Sequence, residues 1–152
     1  MDATLVSALL VCALIFAIFI GAGNPAGVRL DVEDGSLVVR IKGKDALYCL
    51  CRTLRVPVGL VKGVAASPRR LVPATGLRLP GTAIPGVLRA GSYGTGASRD
   101  FWLVRRAKHV LVIELEAGAP YRRIVLEVAD PNAEAVRLRP LVGAYTGTFD
   151  AR

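Results

Sequence analysis

The stretch RDFWLVRRAKHVLVIELEAGAPYRRIVLEVADP, residues 99–131, carries most of the information about the fold. FWLVRR, HVLVIELE and YRRIVLEVAD are three β-branched and aromatic runs of strand length. The segments 106–109 and 117–120, the latter with Gly118 and Pro120, read as turns between them. Asp130-Pro131 then supplies a helix N-cap followed by a first-turn proline, which predicts a helix to about Arg139, stopped by Pro140.

Working backwards, AGSYGTG at residues 90–96 concentrates three glycines just before the aromatic strand. A phosphate-binding loop needs a Lys and a hydroxyl after its last glycine, and neither follows Gly96. A dinucleotide fingerprint opens a helix, whereas a strand follows here. Ser92 stands near the G-x-S-x-G elbow pattern with Ala90 in the first glycine's place, but His109 is the only histidine of the chain and no triad can be assembled from the sequence. The glycines are therefore read as a sharp bend between two strands. No catalytic constellation is found, no cofactor or metal is expected, and the chain is read as a non-enzyme.

Further towards the N-terminus, VRLDVE and SLVVRIKG alternate around Asp34-Gly35, a strong hairpin signal. DALYCLCR, residues 45–52, fits either a helical turn or a strand. LRVPVGLVKGVAAS reads as edge or bent strands interrupted by Pro57 and Gly59, and residues 68–85 as an irregular loop with several prolines. Cys49 and Cys51 are expected to be reduced and packed, because no further ligand lies near them for a metal. The sum is six or seven strands and one closing helix. Such apolar strands must close on themselves or pack on a second sheet, so a small barrel or an orthogonal sandwich is expected.

The first part of the chain is different. LVSALLVCALIFAIFIGA, residues 5–22, holds eleven Leu, Ile, Val or Phe in eighteen positions and no charge. Each of those residues favours membrane insertion by about 0.3–0.6 kcal/mol, and the length suffices to cross a bilayer core. A cleaved signal peptide usually has a basic start and a shorter apolar core, whereas here the only preceding charge is Asp2. Gly21-Ala-Gly23 nevertheless offers a small-residue cleavage site, so an exported protein is the competing reading. A lipoprotein signal is disfavoured by Val11 before Cys12. Residues 1–24 are read as a transmembrane anchor, 25–140 as the domain and 141–152 as a flexible tail. Every Lys and Arg lies after the apolar segment, which predicts the N-terminus outside and the domain in the cytosol.

With its anchor, the run of residues 99–135 and the preceding IPG (84–86) and AGSYGTG, the chain resembles the bacterial pleckstrin-homology-like domains found in membrane proteins. The resemblance covers about residues 28–140 and rests on strands and turns. It implies a strongly bent barrel of about seven strands in two packed sheets, with one end closed by the C-terminal helix. It also implies a domain at the bacterial cytoplasmic membrane that binds lipids, peptides or proteins without catalysis. The departures are the short closing helix and the long 68–85 segment.

The net charge of +8 bears on partners. Arg99, Arg105, Arg106, Lys108, Arg122 and Arg123 are the candidate contacts for anionic lipid headgroups or a protein or peptide partner, each positive charge near an anionic leaflet contributing about 1 kcal/mol. Alternation puts Arg105 and Arg106, and likewise Arg122 and Arg123, on opposite faces, so only one of each pair could join Lys108 in a patch, the alternative being that all are solvated residues that keep the domain soluble. Nucleic acid is disfavoured because the basic residues are dispersed and only 6% of residues are aromatic. Trp102 is expected in the core and His109 in solvent. Glu114 and Glu116 are expected on one solvent-facing side of their strand.

Overall fold

The computed structural model describes residues 27–73, 78–84 and 88–142, together with Ser7, Leu9 and Leu10, which are helical. The rest of the 5–22 segment, Cys12 included, and the 143–152 tail lie outside the described residues. Among the described residues, no helix is long and apolar enough to cross a membrane.

The domain is mainly β and its strands form two sheets. The smaller is an antiparallel meander of β1 (Val28–Glu33), β2 (Ser36–Ile41) and β3 (Thr53–Pro57). Asp34 and Gly35 both take positive φ, 49° and 71°, as a two-residue turn with the twist of its flanking strands requires. Leu30, Leu37, Val39 and Ile41 face the core, while Asp31, Glu33 and Arg40 alternate outward and form ion pairs at 3.3 and 2.6 Å. Between β2 and β3, the undecided 45–52 segment resolves into a short helix, α1 (Lys44–Tyr48), whose Tyr48 is buried.

The larger sheet has the order β4-β8-β9-β7-β6-β5, built from β4 (Val61–Pro68), β5 (Arg78–Ile84), β6 (Leu88–Tyr93), β7 (Asp100–Val104), β8 (His109–Leu115) and β9 (Arg123–Leu126). Both of its faces are buried. Phe101, Leu103, Leu111, Ile113, Ile124 and Leu126 meet the small sheet and the C-terminal helix α2 (Pro131–Val142). Trp102, Val104, Val110, Val112 and Val125 lie on the other face with Val72 and Tyr93. Burial on two sides explains why HVLVIEL reads as a continuous apolar run and not as an alternation. Each such side chain contributes about 1.5–3 kcal/mol, so this sheet is the stable centre of the domain.

Several expectations change. Nine strands are present among the described residues instead of six or seven, and of the two arrangements expected the closed barrel is not formed, the strands packing as two sheets. The 68–85 segment contains β5, whose Pro80 is tolerated because β5 is an edge strand and its register shifts between Arg78 and Gly81. Pro140 does not stop α2, which continues to the buried Val142. The amide that proline lacks would have bonded to Val136, a solvent-exposed residue, so water can serve that carbonyl. The glycine bend is as expected. Gly94 has φ +88°, and a Cβ there would lie 2.8 Å from the Ser98 carbonyl oxygen.

The 105–108 segment is the feature that no strand pattern predicts. It is not a hairpin turn: β9 enters between β7 and β8, pairing parallel to β7 and antiparallel to β8. The Glu127 carboxylate at the end of β9 accepts from the Arg105 amide at 2.6 Å and the Ala107 amide at 3.2 Å, which fixes the crossing segment over the strand. The hairpin of this region is the β8–β9 connection, closed by the Leu115 amide on the Arg122 carbonyl at 2.9 Å.

Candidate functional site

The parallel pairing of β7 and β9 decides where the six candidate cations go. Asp100 pairs with Arg123 and Leu103 with Leu126, so the starts of both strands share one end of the sheet. Arg99, Arg122 and Arg123 gather there, while Arg105, Arg106 and Lys108 occupy the other end, about 13 Å away along the strand. The single patch joining Lys108 to a residue of the 122–123 pair is not formed.

At the first end the cations are internally engaged. Asp100 is fully buried at the start of β7. It accepts from Arg122 Nε at 3.2 Å, Arg122 Nη2 at 3.1 Å and Arg123 Nη2 at 2.6 Å. Arg122 and Arg123 reach the same carboxylate because only Arg123 belongs to β9, so strand alternation does not govern Arg122. Arg123 also donates to the Pro73 carbonyl at 2.8 Å. The Arg99 guanidinium lies 5.5 Å from the centre of the Tyr121 ring, and that ring packs edge-on against Phe101. This arrangement fastens β7 to β9 and compensates a buried charge.

The other end is built around Gly27, the first residue of the continuous described chain. The Gly27 amide donates to Asp45 Oδ2 at 2.8 Å, and its carbonyl accepts from the Lys42 amide at 2.8 Å. The buried Asp45 is also ion-paired with Arg105. From there the contacts run on to a single turn at Arg69–Leu71 after β4: Arg69 Nη1 donates to the Arg105 carbonyl at 2.8 Å, and its amide to the Lys108 carbonyl at 2.8 Å. Burial lowers the Arg69 pKa, and the nearby positive charge of Arg89 lowers it further. Arg89 itself lies 5.0 Å over the Trp102 ring. Arg70, Arg106 and Lys108 are exposed and make no ion pair among the described residues.

Beside Gly27, α1 borders an open cleft of about 580 Å³ lined by Lys42, Ala46, Leu47, Leu50, Cys51 and Arg52. Cys49 is buried against the same helix. Its thiol donates to the Asp45 carbonyl at 3.0 Å, and burial pushes its pKa up to about 11. Cys49 and Cys51 are both free thiols, as expected.

Trp102 is fully buried, and His109 is exposed at the start of β8. Glu116 is exposed, while Glu114 is half-buried and lies between Gly63 and Arg123 in the sheet. Among the described residues, no three His, Cys, Asp or Glu side chains converge as a metal would need. Sequence reasoning missed Lys42, Lys44, Arg52, Arg69, Arg70 and Arg89. They come from four separate segments, of which KGK at 42–44 and the Arg69-Arg70 pair stand out locally as basic. No family model matches the chain, and neither the curated proteins nor the solved structures give a match.

Proposed function

We propose that this chain is a single-pass membrane protein that displays a pleckstrin-homology-like, non-catalytic binding or scaffold domain at the cytoplasmic face of the bacterial membrane. The observation that carries this reading is the junction. Gly27, whose amide and carbonyl are both bonded into the domain, comes only five positions after Ala22, the last residue of the charge-free 5–22 segment. Extended chain of that length covers about 17 Å, so a domain tethered there works next to the headgroups. Two packed sheets with a C-terminal helix on β4 are compatible with the family resemblance. The absence of barrel closure and the parallel β7–β9 pair mark its limits.

The test is alkaline extraction of membranes from cells producing the full chain, followed by the intact mass of the retained protein. Retention with Met1 or Asp2 at the start supports the anchor. A mature start near Asn24 in the soluble fraction overturns it and favours an exported β domain. Protease protection of the C-terminal domain in sealed inverted and right-side-out vesicles then reads its side of the membrane.

A further inference from the structure

The end of the domain that holds Gly27 differs from the rest of the surface in two independent ways. It is basic: Lys42, Lys44 and Arg52 surround α1, and Arg70, Arg106 and Lys108 lie across the Asp45–Arg105–Arg69 bridge from it, all six exposed. Asp45 and Glu127, the carboxylates in contact with Gly27 and with the 105–108 segment, are buried and engaged in holding the chain, and the exposed Asp130 lies on the far side of Val28. It is also apolar where it should be polar. Leu47, Leu50 and Leu71 are 73%, 69% and 59% exposed.

Leu50 has a positive φ of 54°, a backbone conformation unfavourable for a large side chain. Glycine would relieve it, yet a leucine stands there and points its side chain into solvent. Exposed leucines interleaved with Lys and Arg on one surface are the composition that lies in a bilayer interface, with apolar groups in the acyl boundary and cations among anionic headgroups.

We propose that this face, centred on α1 and the 69–71 and 105–108 segments, docks onto an anionic phospholipid bilayer. Leu47, Leu50 and Leu71 enter the interface, and Arg70, Arg106 and Lys108 engage the headgroups. The occupant is the bilayer itself because the face surrounds the residue at which the apolar segment joins the domain. The inference rests on the membrane-tether reading for its geometry, and its own content is the docked orientation. Arg99, Arg122 and Arg123 have no part in it.

The test uses the full chain with vesicles of phosphatidylcholine alone or of phosphatidylcholine with phosphatidylglycerol, read by flotation and by amide hydrogen exchange. Flotation with both compositions, with slowed exchange across 44–52, 69–72 and 105–109 only over the anionic vesicles and reversed by salt, supports both tether and docking. Flotation with both and equal exchange overturns docking while leaving the tether. Flotation with anionic vesicles alone, with the same protection, supports docking and overturns the tether. Flotation with neither overturns both.

Each cation near an anionic surface contributes about fivefold. The combined substitutions Arg70→Gln, Arg106→Gln and Lys108→Gln therefore lower the docked fraction relative to the undocked by about a hundredfold. Leu47→Ser with Leu50→Ser weakens docking without changing its salt dependence. Lys62→Gln, on the exposed side of β4 far from Gly27, leaves it unchanged, and an equal loss for Lys62→Gln overturns the assignment of this face.

Discussion

Both ends of the larger sheet collect arginines, and they use them differently. At the end where β7 and β9 begin, Arg122 and Arg123 share the buried Asp100, and Arg99 rests on an aromatic ring. At the end where Gly27 enters, one arginine is bound to a buried carboxylate, and the remaining exposed cations surround uncovered leucines. The first end turns its charge inward to hold two parallel strands in register. The second keeps most of its charge outward. Residue type alone does not separate the two uses. The position of a buried carboxylate does, because a desolvated anion captures whichever guanidinium reaches it.

The sharpest way to break this contrast is to remove the inward anion. Asp100→Ala removes the buried carboxylate that Arg122 and Arg123 share and is expected to cost about 3–5 kcal/mol in urea unfolding. A cost under about 1 kcal/mol would mean that water already serves those arginines. Asp45→Ala should cost less, about 2 kcal/mol, since Asp45 holds one guanidinium and one amide whereas Asp100 holds two guanidiniums. Its distinctive sign is local: hydrogen exchange at the Gly27 amide should accelerate more than exchange in β8.

Leu50→Gly acts in the opposite direction. It relieves a positive φ at little cost in burial and should stabilise the fold by about 0.5–1 kcal/mol, seen as a raised unfolding midpoint. Destabilisation would show that the leucine side chain packs in solution.

The last effect is confined to alkaline pH. Burial raises the Cys49 thiol from 9.0 to about 11, so at a pH between those values the folded state retains a proton that the unfolded chain has lost. That contribution to stability is complete below pH 9 and disappears as pH rises towards 11. Over that window Cys49→Ala should show a shallower decline than the parent chain, and Cys51 should react with a thiol reagent before Cys49.

Much of the β architecture was legible in local pattern. The Asp34-Gly35 turn, the Gly94 bend, β7, β8 and β9, the core position of Trp102 and the start of α2 all come from turn chemistry, apolar runs and capping residues. The strand β5 was not legible, because Pro80 and Gly81 within it are local signals against a strand, and edge pairing with β6 overrides them. The end of α2 was misplaced because a proline only disfavours the turn that contains it: Pro140 removes one bond to the solvent-exposed Val136, and the buried Leu138 and Val142 hold the last turn on the core. For the site, the sequence named six cations and allowed one of each arginine pair to share a patch with Lys108. The chain pattern holds no information on whether consecutive strands pair with each other, and the insertion of β9 between β7 and β8 sends those cations to opposite ends.

By itself, then, the sequence determined the charge-free segment at residues 5–22, the β character of the domain and the positive excess, because each is a property of composition or of contacts between near neighbours. Only the tertiary structure decided the division into two sheets, the parallel β7–β9 pair and the grouping of Gly27, α1 and the 69–71 and 105–108 segments at one end. The bonds that make this grouping join residues 18, 36 and 60 positions apart. They arise because a sheet buried on both faces can admit a returning strand wherever its apolar side chains fit best, and the cost of closing the longer loop grows only slowly with length.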